Sequence, residues 1–473
     1  MKSNSPRFQF LTFLQSNNIS FSNLKQIHAQ LIINGNNHSS NLAKLIQSCC
    51  NLSTQPALNH AKSIQTHSTS TTTNVYLLNV LIRCSPPRNS ISSFADSLSS
   101  KPNLVFDNRT YVFVLGSCAR LSIVSALFEG KQVHARGIKD GLFSDIMVQT
   151  TAIHFYGIHR EIHSARKLFD EMSMRNSVTW SAMIRGYCIQ KEKIPRYARD
   201  AIKLFREMLI NREVGSPNES TMVCILSAVS QLGSLENGIC IHGYIQKTVY
   251  KPEIDVFIGT GLIDMYSKCG LINTAIRIFN IMEIKNVLTW TAMMTGLAIH
   301  GRGKETIELM NAMESNNLKP NEVTFTSLLA ACCHWGLVQE GLCLFESMEG
   351  RFGIKPTIQH YGCIVNLLGR AGLLNEAYEF IIGMNRKPDA VVWRSLLNAC
   401  KLHGEVLMAE KVGRILLEFD SEKIDASEDY IALSNAYALV DRWDDVEMVR
   451  EVMKVKGVQI DPGFSRVHLF DNS

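Results

Sequence analysis

Apolar and polar positions along this chain alternate with helical spacing, broken at regular intervals. Between Val287 and Asn321 the apolar residues Trp290, Met293, Met294 and Leu297 fall at i, i+3, i+4 and i+7, one face of a helix. Gly301 and Gly303 break that pattern. Ile307, Met310 and Met313 then mark a second amphipathic helix, which Pro320 stops. The segment is predicted as an antiparallel helix pair. Neither helix can bury its apolar stripe alone, so such pairs must stack on their neighbours into a superhelix with one concave face. The methionine and aromatic stripe is core, not a cofactor box.

The same spelling returns elsewhere. V-T-W-S-A-M-I-R-G-Y from Val178, L-T-W-T-A-M-M-T-G-L from Leu288 and V-V-W-R-S-L-L-N-A-C from Val391 share a tryptophan, and Trp180, Trp290 and Trp393 lie 110 and 103 residues apart. A second group runs out of phase with the first. V-F-I-G-T-G-L-I-D-M-Y from Val256 answers I-M-V-Q-T-T-A-I-H-F-Y from Ile146, again 110 residues later. A third pairs S-T-M-V-C-I-L-S-A-V from Ser220 with V-T-F-T-S-L-L-A-A-C from Val323, and R-T-Y-V-F-V-L-G-S-C from Arg109 precedes both. The large period is therefore a triplet of three unlike helix pairs. Repetition at this scale means an array.

An array removes the usual division of 473 residues into domains of ~150 residues, because each pair packs only on its neighbours. Hydrophobic residues at 46% and charged residues at 19% suit a folded chain. No apolar run reaches the ~18 residues of a membrane helix, so no membrane contact is expected. The net charge of +5 is modest, but its distribution is uneven. Lys2, Arg7, Lys25, Lys44, Lys62, Arg83 and Arg88 all precede Asp96, the first acidic residue. With its Ser and Asn content, the stretch Met1–Asn23 suits an organellar transit segment; a frayed polar terminus is the plainer reading. The thirteen cysteines have no C-x-x-C spacing, which argues for reduced, buried thiols rather than a disulfide framework.

These motifs resemble those of plant organellar pentatricopeptide repeat proteins of the class built from standard, long and short repeats in P-L-S triplets, E subgroup. The resemblance implies an all-α, right-handed superhelical solenoid of antiparallel helix-pair repeats. It also implies three triplets over 75–389: repeats 75–107, 108–145 and 146–176; 177–218, 219–255 and 256–286; 287–321, 322–357 and 358–389. Residues 24–74 resemble degenerate repeats: L-K-Q-I-H-A-Q-L-I-I-N-G looks like a second helix, and Asn41–Asn74 like a short repeat. An insertion around Lys191–Tyr197 reads as a longer turn between helices. From Ala390 to Gly463 the chain resembles the family's C-terminal extension, the E motifs, followed by a short tail over 464–473.

In this family the fifth and last residues of a repeat read one RNA base, and an apolar second residue wedges between bases. Helical-repeat readers of this kind assign one base to each repeat. The resemblance makes Asn79 with Asp107 a pair for U. It makes Thr150 with Asn176, Ser181 with Asn218, Thr260 with Asn286 and Thr291 with Asn321 pairs for A. Val112/Asp145, Val223/Asp255, Thr326/Thr357 and Gly362/Asp389 receive no letter. Tyr76, Val178, Phe257 and Leu288 are wedge candidates. Ser, Thr and Asn also cap helices, but a polar fifth residue in six of nine repeats favours recognition. In editing factors of this class the last short repeat lies about four nucleotides upstream of the edited cytidine. The implied single-stranded RNA target is UnAAnAAnnnnnC, its last C edited. Backbone contacts by Lys and Arg would add salt-dependent affinity.

A nucleobase deaminase needs H-x-E followed by P-C-x-x-C to hold zinc. The one H-x-E, His159-Arg160-Glu161, falls in an inter-helix turn with no cysteine pair after it, and His334 beside Cys332–Cys333 lacks metal-ligand spacing. No phosphate loop or nucleophile elbow occurs. The chain is therefore expected to be non-catalytic, without metal or cofactor. The resemblance then implies a DYW-type deaminase acting in trans, multiple organellar RNA-editing factor proteins as partners, and location in the mitochondrion or alternatively the chloroplast. Two other functions stay open. One is a stability, splicing or translation factor that acts by occupying RNA. The other is a tetratricopeptide-like protein scaffold, although the units vary in length and W-x₂-L-G-x₂-Y is absent.

Overall fold

The computed structural model describes residues 19–67, 71–100, 104–121, 124–190, 195–211, 215–248, 255–419, 427–438 and 441–455. Every regular element among them is an α-helix. The chain divides into two compact units, Met1–Leu232 and Gly233–Ser473.

In the first unit the helices Asn108–Ala119, Ile146–Ile158 and Ser177–Cys188 each open a pair, and each packs against the opening helix of the next. Their partners, Val124–Lys139, Ile162–Glu171 and Pro195–Ile210, each pack between two successive opening helices. The opening helices thus form a continuous row with the second helices behind it. The second unit follows the same plan, with opening helices Val256–Lys268, Val287–Ile299, Glu322–Trp335, Ile358–Arg370 and Ala390–His403. The expected all-α stack of helix pairs is the architecture found.

Two features hold the row at its spacing. Gly157 and Gly186 let two opening helices touch: a Cβ on Gly157 would lie 3.0 Å from the Gly186 Cα. Behind them, Phe169 meets Trp180 edge to face, with ring centroids 5.0 Å apart at 85°. In the second unit Phe279 and Trp290 repeat that geometry to the same 5.0 Å and 85°. Both tryptophans are buried, so the recurring tryptophan of the sequence is the anchor between one pair and the next.

Local departures from the sequence reading have simple causes. Pro195–Tyr197, expected within a longer turn, open the helix Pro195–Ile210, as suits a proline at a helix start; residues 191–194 lie outside the described set. Gly303 is the first residue of its helix rather than a breaker, and a Cβ there would meet Trp335 at 3.0 Å. That helix ends at Ser315, before Pro320, and Asn317 follows in the left-handed region at φ 58°. The first helix of repeat 75–107 starts early, at Thr71. Most of Met1–Asn23 lies outside the described residues. No described helix is long and apolar enough to cross a membrane.

The cysteines form no disulfide among the described residues. Six of them are buried, although Cys240 and Cys343 are exposed. Burial pushes the thiols of Cys49, Cys118, Cys332 and Cys400 up to about 12, which keeps them protonated.

Candidate nucleic-acid interface

A helix leaves its first backbone N–H groups without partners inside the helix, and a short polar side chain just before it can accept from them. The last residue of eight of the nine repeats, all but Thr357, does this for the opening helix of the next. In the first unit Asp107 accepts from the Thr110 N–H at 2.8 Å, Asn176 from Thr179 at 3.0 Å and Asn218 from Thr221 at 2.9 Å. In the second unit Asn286 accepts from Thr289 at 3.0 Å and Asn321 from Thr324 at 2.9 Å. Each asparagine uses Oδ1 for this bond, so its Nδ2 donors are left for something else.

The capped threonine also ties the cap to the fifth residue of the preceding repeat. Thr179 donates its hydroxyl to Asn176 at 3.0 Å and lies 2.8 Å from the Thr150 hydroxyl. Thr221 likewise links Asn218 to Ser181, at 2.8 and 2.5 Å. Thr289 links Asn286 to Thr260, at 3.1 and 2.8 Å, and Thr324 links Asn321 to Thr291, at 2.9 and 2.8 Å. Asn79 reaches Asp107 directly, donating at 2.9 Å, while the single Thr110 hydroxyl hydrogen is shared between Asn79 and Asp107, at 2.7 and 2.8 Å. Each of these fifth-and-last pairs is therefore brought together by one fully buried threonine. None of the five bridging threonines figured among the expected site residues. Their signal lay in the third letter of each repeat, the T of V-T-W and L-T-W.

The remaining positions divide by the same rule. Thr326 and Thr357 are joined through His360, also fully buried, at 3.0 Å on either side. Where the fifth residue is Val112, Val223 or Gly362, the bridging position holds the buried apolar residues Val148, Ile258 and Val392. Asp145, Asp255 and Asp389 still cap the helices that follow them. Asp145 also accepts from the Asn108 amide at 2.7 Å. That bond, helped by the backbone N–H groups of Val148 and Met147, holds its carboxyl below the ordinary carboxylate value despite partial burial.

In the six repeats with a polar fifth residue the second residue is apolar and exposed, whereas Arg109, Ser220 and Gln359 stand second in the other three. Tyr76 and Val178 are 45% and 54% accessible in the first unit; Phe257 and Leu288 are 58% and 55% accessible in the second. Met147, Val323 and Val391 occupy the same position and are equally open. Large apolar side chains held out on a helix row are surface that a flat apolar ligand could cover. The His159-Arg160-Glu161 turn faces other work: His159 Nε2 lies 3.0 Å from the Cys118 carbonyl, and Glu161 pairs with Lys131 at 2.8 Å. Arg160 takes the left-handed conformation at φ 65°, as Gly270 does in the matching turn.

Family models agree with this architecture. The PPR repeat model matches residues 150–177, 178–192, 260–287, 323–351 and 360–388, and a related PPR repeat family model matches 285–334. A pentatricopeptide repeat-containing protein of Arabidopsis thaliana is 48% identical over 472 residues, 99% of this chain and 100% of the relative. The chain belongs to the pentatricopeptide repeat family. An E motif model matches 403–468 and places this pentatricopeptide repeat protein in the E subgroup of the PLS class. A second Arabidopsis relative, described as mitochondrial, is 38% identical over 80% of the chain, which spans 56% of that relative's length. Among solved structures, a pentatricopeptide repeat protein in complex with an 18-nt psaJ RNA element superposes with a TM-score of 0.71 over 97% of this chain and 66% of its own. At 14% identity that likeness concerns the fold.

Proposed function

We propose that this pentatricopeptide repeat protein is a sequence-specific single-stranded RNA-binding factor that selects one cytidine of an organellar transcript for C-to-U editing. The observation that carries this reading is the recurring trio of fifth residue, bridging hydroxyl and capping residue. Each trio fixes a small polar side chain beside a capping amide or carboxylate, no more than once per helix pair, which suits reading one base per repeat. The exposed second residues offer stacking surface between successive bases. A relative of the same fold holding an RNA element supports the ligand class.

Over repeats 75–107 to 358–389, the pairing habits of the family give UnAAnAAnnnnnC. Asn79/Asp107 takes the U, and Thr150/Asn176, Ser181/Asn218, Thr260/Asn286 and Thr291/Asn321 take the adenines. The E motif and the helix pair from Ala390 would recruit a DYW-type deaminase in trans, with multiple organellar RNA-editing factor proteins. This chain supplies recognition and no chemistry. Mitochondrion is the compartment proposed, with the chloroplast as the alternative, since relatives are described as mitochondrial, as chloroplastic and as chloroplastic/mitochondrial.

Two measurements test the reading. The purified chain should bind UnAAnAAnnnnnC more tightly than the same RNA with its adenines changed to cytosines; equal affinity overturns the assignment. Sequencing organellar transcripts from a plant lacking the protein should show a cytidine that is no longer edited. Retained editing everywhere would leave a factor that acts by occupying RNA.

A further inference from the structure

We infer that repeat 322–357, a long repeat without an assigned letter, also reads a base, through Thr326 and Thr357 held by His360, and that it favours adenine or cytosine over uracil. The inference rests on the base-reading proposal above and extends it to the eighth letter of the target.

His360 stands third in its repeat, where Thr110, Thr179, Thr221, Thr289 and Thr324 stand in theirs. It is fully buried. Its Nδ1 accepts from the Thr357 backbone N–H at 2.9 Å, so that nitrogen carries no proton and the ring hydrogen sits on Nε2. Nε2 donates to the Glu322 carbonyl at 2.8 Å and lies 3.0 Å from the Thr326 hydroxyl oxygen. Both ring nitrogens are therefore satisfied. The fold itself does not ask for a histidine here: Val148, Ile258 and Val392 fill the same position as buried apolar residues. A buried imidazole joined to two hydroxyls replaces them only beside the one long repeat whose fifth residue is polar.

The tautomer fixes what the pair presents. Thr326 sends its hydroxyl hydrogen back to the Glu322 carbonyl at 3.1 Å, and its oxygen shares the single Nε2 hydrogen with that carbonyl. Thr357 lies 3.0 Å from the unprotonated Nδ1, where its hydroxyl can only donate, into a lone pair that it shares with its own backbone N–H. Both hydrogens point inward, which leaves oxygen lone pairs to face a ligand. Lone pairs welcome the exocyclic amino group of adenine or cytosine and oppose the O4 carbonyl of uracil. The neighbouring Thr291/Asn321 pair differs, because Asn321 presents its Nδ2 donors.

His360 is a positioning residue, so the test reads base preference rather than affinity alone. The full chain is titrated with UnAAnAAXnnnnC, with X each of the four bases, and with the same RNA altered at its seventh letter. Adenine and cytosine at X should bind about fivefold more tightly than uracil. His360→Val should abolish that difference while the preference at the seventh letter stays intact. Should His360→Val lose helix content, Thr326→Val replaces it, with the same expectation. A flat response at X beside a normal response at the seventh letter overturns this inference alone. A flat response at both letters overturns the base-reading proposal and this one with it. Loss of preference at both letters in a folded His360→Val chain also overturns it, by showing a role in support of the whole row.

Discussion

Repeats 287–321 and 108–145 are built from the same parts and end differently. Each has two antiparallel helices, and the last residue of each caps the helix that follows: Asn321 for one, Asp145 for the other. In the first repeat Thr291 is tied through Thr324 to Asn321, forming a polar trio that opens to solvent through Asn321. In the second, Val112 has an apolar counterpart in Val148, and Asp145 turns instead to Asn108. Capping is thus common to both, while the hydroxyl bridge is present only where the fifth residue is polar. One residue, third in the following repeat, separates a repeat whose fifth and last residues are joined from one where they are not.

The largest way to break this comparison is to remove a cap that also holds a trio. Asp107→Ala strips the partner from the Thr110 N–H and from the buried Asn79 and Thr110 side chains. It should cost about 3 kcal/mol in urea unfolding, the sum of a lost cap and orphaned buried polar groups. Asp255→Ala, which removes a cap without a bridge, should cost about 1 kcal/mol. Equal losses would show that the bridge adds nothing to stability.

Next comes the stacking surface, which belongs to the repeats with a polar fifth residue, since Arg109, Ser220 and Gln359 stand second in the other three. Phe257→Ser should weaken RNA binding about tenfold, the scale of one lost base–aromatic contact. Since Phe257 is 58% accessible, its melting temperature should barely move. A folded variant with unchanged affinity would remove the second residues from the interface.

A smaller effect would turn one kind of repeat into the other. The double change Val112→Thr with Val148→Thr places hydroxyls where repeat 287–321 has them, with Asp145 as the cap. Base preference of about fivefold should appear at the second letter of the target, measured by titration with all four bases. No gain in preference would mean that the trio geometry is not sufficient.

The smallest concerns acid. Asp145 ionises below the ordinary carboxylate value in the folded chain, chiefly through the Asn108 amide, so its contribution to stability is complete above that value and fades as pH falls through the lowered one. Asn108→Ala should lower stability slightly at neutral pH and raise the pH midpoint of acid unfolding, the difference vanishing below the lowered value. An unchanged midpoint would place the cause elsewhere.

The helix pairs were legible because their signals are local: the spacing of Trp290, Met293, Met294 and Leu297, and the Asn or Asp that stops one helix and starts the next. The fifth-and-last pairs were nameable only through the family resemblance. The bridge was not anticipated, although its letters stood inside the quoted motifs. A threonine at the third position reads as an ordinary β-branched residue in an apolar stretch, and only packing shows that its hydroxyl faces a neighbour two helices away. His360 was hidden for the same reason. A lone histidine between Gln359 and Tyr361 carries no sign that three polar groups converge on it.

The double duty of the last residue has an evolutionary consequence. Asparagine and aspartate cap helices about equally well, so Asn286 could become Asp with little effect on the stack. Its outward end would change from amide donor to carboxylate acceptor, which under the proposed base reading would suit a different letter. Under the proposed reading, such a scaffold would be re-addressed one letter at a time, each step nearly silent to folding.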